Sequence, residues 1–586
     1  MTTDALTPNP VASEQREPYT AACHATFTAL LNCYIREFAL GDDGVHLCPR
    51  GDIPQALSSP LIEGEPIRLT LPASACLLAV KARRWSLLGR GDFDQVPFVK
   101  RFGQAWRPLT PTQACALLQR EMAARLGVDH NAELAEQIAN SSAVTATFLA
   151  DDFRPTPDYI GSEQSLIWGH PLHPSPKSRS GVDPRALLAC SPEVGARFPL
   201  FWFRIDPCLL SQQGHDDIGA LLYELSGAHN LYPCHPWEVE HIMRSPLYLR
   251  AVRQGMITPL GARGTALLPT SSVRTLFHPT LPWFLKCSIH VRLTNCVRKN
   301  AWYELESAVT LSALLDDAFR WLERAVPGLS ILREPNATTL DFSPLAQAHE
   351  QAAVCHLQEC FGILYRQALP PSVRQSDQAH LAGTLFGLDR DGDSPLRHLI
   401  RELAALRGLE YAETAQLWLD RYLSLLLPSV LSAFFDQGIV FEPHLQNVLI
   451  GLEAHLPCRL WLRDLEGTKL DRSQWDASRL ASLSDAARQS VWYSRHQGWQ
   501  RIAYCLFVNH LSEALFRLAD GDRSLEQRLW DRLAHHLQAW RHQPEIAALL
   551  AGAPLPSKNN LRTRLLQRRD RQSDYTPLAH PMRSRP

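Results

Sequence analysis

Apolar and polar positions recur along this chain with two periods, and each change of period marks an element. Cys23, Phe27, Leu30, Leu31, Tyr34 and Phe38 follow helical spacing up to Gly41, which predicts one amphipathic helix after a polar, proline-containing start. From Ile67 to Leu88 the pattern turns to alternation and short apolar runs broken by Pro and Gly, which predicts a small sheet. Helices are expected near 111–127 and 131–149. Apolar positions here account for themselves as core and charges as solvated faces, so residues 1–155 read as a supporting domain. A loop rich in Pro, Asp and Gly at 151–165 ends it.

Further on, Leu285, Cys287, Ile289, Val291 and Leu293 alternate with Lys286, Ser288, His290, Arg292 and Thr294. This predicts one strand with a buried face and a polar, cationic face, with Arg298 just beyond its end. Just upstream, Ser272 and Arg274 stand two residues apart, which places them on the same side of a second strand. Helices are expected at 308–325, 345–368, 396–407 and 412–436, with a break near 370–395 that divides a 156–395 unit from a 396–586 unit. Within the latter, Val448, Leu449 and Ile450 form an apolar run, and Leu460 and Leu462 alternate with polar neighbours. A hairpin follows, gathering Glu442, His444, Asn447 and Asp464 at one end. The basic segment Leu555–Arg569 reads most simply as a solvated helix end.

Composition narrows the classes. A chain of 586 residues holds two to four domains, and 59 Lys plus Arg against 60 Asp plus Glu leaves no footprint for nucleic acid. The 14 cysteines lack CxxC pairing, which suits reduced thiols. The N-terminus lacks the basic start and apolar run of a signal peptide, and no apolar stretch approaches a membrane span, so a cytoplasmic location is expected.

Three patches carry chemistry. The stretch GHPLHPSPKSRSG presents His170, His173, Lys177 and Arg179 on a proline-braced loop suited to an anionic small molecule. Zinc competes for these histidines, with His229, His235 and His241 beyond, but no cysteine or carboxylate completes a ligand spacing. Hydroxyls interleaved with cations between Ser272 and Arg298 suit a triphosphate, although a polar strand face is as often simply solvated. Asn447 and Asp464, with Glu442 as a further candidate, offer the hard oxygens that Mg²⁺ takes beside phosphate; the plain alternative is a buried hairpin with capped turns.

The order of these patches resembles the NRPS-independent siderophore (NIS) synthetases of the IucA/IucC type over most of the chain. The HPxHPxxK loop is His170 to Lys177, and SxRT is Ser272 to Thr275. The Lys-strand-Thr-Asn-x-x-Arg element is Lys286, Thr294, Asn295 and Arg298. The His-x-x-Asn strand is His444 to Asn447, the Asp-x-Glu-Gly turn is Asp464 to Gly467, and the terminal basic motif is Lys558 to Leu565. The resemblance implies an α+β cupped hand: an N-terminal thumb, fingers with a mixed sheet, and a mostly helical, remotely kinase-like palm. It implies ATP against Ser272, Arg274, Lys286, Thr294, Asn295, Arg298, His444, Asn447 and Asp464, with Mg²⁺ on the last two. A citrate-type acid would meet His170, His173, Lys177, Arg298, His444 and Lys558, and Arg298, His444, Lys286 and His170 would act in catalysis. The implied reaction is adenylation of the acid and condensation with an amine or hydroxyl. A homodimer stays open as an assembly state. Two rivals remain: a kinase-like phosphotransferase, with Glu442 as the carboxylate that meets a substrate hydroxyl, and a citrate- or siderophore-binding protein without catalysis.

Overall fold

The computed structural model describes residues 16–49, 51–59, 63–93, 96–293, 296–374, 378–568 and 572–582. Its helices and sheets segregate as an α+β cupped hand with thumb, fingers and palm. In the thumb, the first helix runs Arg16–Tyr34 and widens into a π-helical turn at Ile35–Ala39. Its Phe27, Leu30, Leu31 and Tyr34 pack on an antiparallel sheet whose strand Glu65–Leu71 turns Ile67, Leu69 and Leu71 to the same core. The helices Pro111–Leu126 and Ala132–Leu149 start on side-chain caps from Thr110 and Asn131, which satisfy amide groups that have no partner in the first turn.

Leu561 and Leu565 also belong to the thumb core, so the basic segment, as far as its described residues 555–568 go, is not a solvated helix end. It forms a strand, Leu555–Lys558, and a helix, Asn560–Leu565. The buried Glu37 carboxylate accepts from the N–H groups of Leu561 at 2.8 Å and Arg562 at 2.7 Å, tying the end of the chain to its first helix.

The finger sheet orders eight strands as Leu231–Cys234, Phe198–Ile205, Ile257–Pro269, Thr275–Phe277, Trp283–Cys287, Ile363–Gln367, Asn336–Leu340 and Leu210–Gln213. Its described pairings are all antiparallel rather than mixed, because the central strands follow one another through tight turns that reverse the chain. Parallel pairing is found in the palm, between Leu329–Ile331 and Leu456–Leu462.

Three expectations for this region change. The long strand ends at Cys287, because the Ser288 hydroxyl donates to Glu359 O at 2.5 Å and accepts from Asn300 N at 2.8 Å, taking over from the ladder. The chain pairs again at Arg292–Leu293, between Arg179–Ser180 and Cys296–Val297. Ser272 and Arg274 lie in a turn and not on a strand, since Val273 takes φ of 68° and Thr270 N bonds Thr275 O at 2.9 Å. The helix expected at 345–368 stops at Phe361, and Ile363–Gln367 is a central strand, whose apolar run fits either period.

In the palm, Val448–Glu453 and Leu456–Leu462 form the expected hairpin. Val448 pairs with Leu462, so Asn447 and Arg463 sit side by side at its end. The hairpin rests on the long helix Tyr411–Phe435, and the same core takes in Leu311, Leu315, Phe319 and Leu322 from upstream of residue 396. A buried ion network fastens thumb to palm: Arg90 lies 2.8 Å from both Asp92 and Glu513, Asp92 2.7 Å from Arg517, and Arg84 2.6 Å from Asp520. Among the described residues no helix is long and apolar enough to cross a membrane.

Candidate active site

Two cavities meet where fingers and palm face each other. The smaller, about 150 Å³, lies between the Thr270–Thr275 turn, Lys286, Arg298, Arg366 and the hairpin end. Lys286, buried on its strand, reaches across with Nζ 2.5 Å from Asp464 Oδ1, and also lies in ion-pair contact with Glu466 Oε2 at 2.6 Å. Burial alone would lower the Lys286 ammonium, but Asp464 and Glu466 outweigh it and hold it above its ordinary value. Burial would likewise raise Asp464, yet Lys286 and Arg366 hold that carboxyl well below the usual range. Arg366 also pairs with Glu334 at 2.6 Å and Asp464 at 3.0 Å.

The turn that presents Asp464 is itself held in place. Asp464 takes φ of 81°, a left-handed conformation uncommon without glycine, and Glu334 Oε2 accepts from Leu465 N at 2.9 Å and Glu466 N at 3.2 Å. Arg274 Nη1 donates to Asn300 Oδ1 at 2.5 Å, with Nη2 3.5 Å from Glu466. Asn447 donates from Nδ2 to Glu442 O at 3.1 Å, which orients its Oδ1 as an acceptor. Asn447, Asp464 and Glu466 offer oxygens of the hard type that Mg²⁺ takes, and the cations around them are of the type that suits phosphates. Thr294 and Asn295 lie outside the described residues.

The larger cavity, about 1120 Å³, runs from the thumb helix past His170, His173 and His444 to Arg501, Tyr504, Asn509 and Lys558. It shares Pro176, Lys177, Ser271, Arg298 and Gln446 with the smaller one, so these residues mark the junction. Burial, reinforced by His173 and His444, pushes His170 down to about 3, and Asn509 Nδ2 lies 2.7 Å from its Nε2. Burial also lowers His444 against the pull of Glu442 and Asp464, leaving a ring biased toward its neutral, proton-accepting form.

Some sequence-based placements shift. His444 lines the larger cavity and not the smaller one. Lys177 is not a free anion hook, because its Nζ and Arg179 Nη2 each stand 2.6 Å from the buried Glu193. Burial outweighs Glu193 and lowers the Lys177 ammonium. Glu442 Oε1 stands 2.5 Å from Arg501 Nη1, so this carboxylate is paired with a cation, as Asp464 is with Lys286.

Reasoning from sequence missed Arg366, Glu334, Asn300, Arg501, Tyr504 and Asn509. Arg366 sits on the strand read as a helix, and Tyr504 and Asn509 belong to a π-helical stretch, Tyr504–Leu511, that no local pattern announces. Glu466 was legible as the third residue of the Asp-x-Glu-Gly turn.

The fold is that of siderophore synthetases. It superimposes on ATP-bound aerobactin synthetase IucA from a hypervirulent pathotype of Klebsiella pneumoniae with a TM-score of 0.80, at 22% identity, over 96% of this chain and 100% of that one. In sequence, residues 158–387 match the IucA / IucC family, and residues 416–573 match the ferric iron reductase FhuF-like transporter family. L-2,3-diaminopropanoate–citrate ligase of Staphylococcus aureus is 29% identical over 79% of this chain and 81% of its own length. Spermidine-citrate ligase of Bacillus anthracis is 25% identical over 72% and 71%. In sequence and in fold the chain is thus similar to the IucA/IucC siderophore synthetases.

Proposed function

We propose that this chain is an ATP-dependent ligase. It adenylates a carboxylate of citrate or a citryl derivative, then condenses the acyl group with an amine or hydroxyl, releasing AMP and pyrophosphate. The observation that carries the reading is the meeting of a cation-lined cavity with a larger histidine-lined one at Arg298, where a polyphosphate and a carboxylate can be brought together. The names of the two citrate ligases above support citrate and an amine as the co-substrates.

A citrate carboxylate is ionised near neutral pH and needs no base to attack the α-phosphorus. Its oxygen forms the new P–O bond as the bond to the pyrophosphate leaving group breaks. Two polyanions resist that approach, so Ser272, Arg274, Lys286 and Arg298 act by orienting them and neutralising charge. Mg²⁺ on Asn447 and Asp464 would supply further charge screening on the phosphates. On the acid side, His170, His173 and Lys558 hold the carboxylates. In the second step the amine attacks the acyl carbon, AMP leaves, and His444 takes the amine proton.

Incubation with ATP, Mg²⁺, citrate and hydroxylamine is expected to give AMP, pyrophosphate and a hydroxamate, with none formed without citrate. ADP and a phosphorylated product would replace this reading with a phosphotransferase, and no turnover with any citrate-type acid would leave a binding protein. Alanine at His170 or Lys558 is expected to raise the KM for the acid several-fold or lower kcat, with the KM for ATP little changed. A defect confined to ATP would move these residues to the other ligand.

A further inference from the structure

A second cluster of metal-type donors lies outside both cavities. The helix Gln351–Phe361 carries His356 and Cys360 four residues apart, hence on one face. His290, just past the break in the strand Trp283–Cys287, meets them, and Glu238 approaches from the end of the short 3₁₀ turn Pro236–Glu238. Cys360 Sγ is 3.7 Å from His356 Nε2 and 3.9 Å from His290 Nδ1, and the three residues' ligand atoms lie within 4.8 Å of one another. Glu238 Oε2 is 2.7 Å from His290 Nδ1. None of the four residues lines either cavity.

We propose that Cys360, His356, His290 and Glu238 bind one Zn²⁺-class ion in a tetrahedral structural site. With Zn–S of about 2.3 Å and Zn–N of about 2.0–2.1 Å, donors around a tetrahedral ion stand about 3.3–3.6 Å apart. The sulfur-to-nitrogen distances exceed that range by only a few tenths of an ångström. Glu238 Oε2 needs to move the other way, exchanging its contact with Nδ1 for the metal. Thiolate and carboxylate together cancel the dication, which suits a site whose Cys360 and Glu238 are buried, since a buried charge is tolerable only when paired. The sulfur donor and imidazoles select zinc over the hard Mg²⁺. Metal uptake displaces the protons on the donor atoms into solvent.

The ion would fasten the Gln351–Phe361 helix to the segment that bears Arg298. Ile289 N bonds Arg298 O at 3.0 Å and Arg298 N bonds Val291 O at 3.3 Å, on either side of His290. The histidines weighed for zinc from sequence were all others; one of them, His241, only neighbours the site, its ring tilted by 34° with its centroid 5.0 Å from that of His290.

The test uses the full chain, reduced, stripped with a chelator and titrated with Co²⁺ as a spectroscopic probe. One equivalent per chain with a thiolate-to-cobalt charge-transfer band is expected, and stoichiometric Zn²⁺ should abolish it. Cys360→Ser should remove the band, whereas Cys355→Ser, an exposed neighbour on the same helix, should keep it. His356→Ala, at a half-buried position that tolerates truncation, should weaken Co²⁺ and Zn²⁺ binding at least tenfold, and Zn²⁺ should raise the Tm of the parent but not of this variant. No band in the parent, a band surviving Cys360→Ser, or unchanged affinity in His356→Ala would each overturn the assignment.

Discussion

Arg298→Ala is expected to cut acid-dependent pyrophosphate release on the order of 10²–10³-fold while leaving the fold intact, the usual loss when one preorganised charge-stabilising donor is removed. Arg298 stands at the junction of the two cavities and is only half-buried, so truncating it leaves no large void. Lys286→Ala should lose at least as much activity. In that variant Asp464 and Glu466 keep their charges on the wall meant for phosphate, where Lys286 had stood 2.5 and 2.6 Å away. Lys286→Ala breaks a buried ion pair, so it should also lower the Tm appreciably. Near-normal pyrophosphate release with either variant, measured at saturating ATP and citrate, would remove that residue from the site.

Local pattern sufficed where a single period ran uninterrupted. The helices Pro111–Leu126, Ala132–Leu149, Pro395–Arg407 and Tyr411–Phe435 fall within a residue or so of their expected limits, and the hairpin puts Asn447 beside the Asp464 turn as its alternation required. Pattern failed where tertiary hydrogen bonds overrode it. Alternation from Leu285 to Leu293 is perfect in sequence, yet Ser288 spends its hydroxyl on Glu359 and Asn300 and the strand ends. Binding residues were legible by type but not by partner. Lys177 and Lys286 both look like free cations in the sequence. Only the fold reveals that Glu193, 16 positions on, occupies the first and that Asp464, 178 positions on, shares the second. A carboxylate far away in the chain is invisible to spacing, and so is a π-helical turn that swings Tyr504 and Asn509 into the cavity.

Glu163→Ala should lower the unfolding free energy by about 3–5 kcal/mol, because it strands a buried guanidinium without its counter-charge. Glu163 is fully buried and meets Arg463 Nη1 at 2.5 Å; it also accepts from the Tyr159 hydroxyl at 2.7 Å and from Ser271 N and Oγ at 3.1 and 2.7 Å. Burial alone would raise the Glu163 carboxyl, but Arg463 outweighs it and the group titrates below its ordinary value. The pair's contribution is therefore complete above the unfolded-state value, about 4.3, and fades as pH falls through the lower folded-state value. Urea unfolding of the parent and Glu163→Ala should differ fully near neutral pH and converge in acid. A difference under about 1 kcal/mol near pH 7 would contradict this. Replacing both partners with apolar side chains, as in Glu163→Leu with Arg463→Met, should restore most of the stability, since it leaves no unpaired charge. That double variant should stay impaired in pyrophosphate release all the same. Ser271, at the junction of the two cavities, loses the carboxylate that holds both its N–H and its hydroxyl, and with it the fixed position of the turn that leads to Ser272 and Arg274. Recovery of stability and activity together would reduce the pair to a structural fastening.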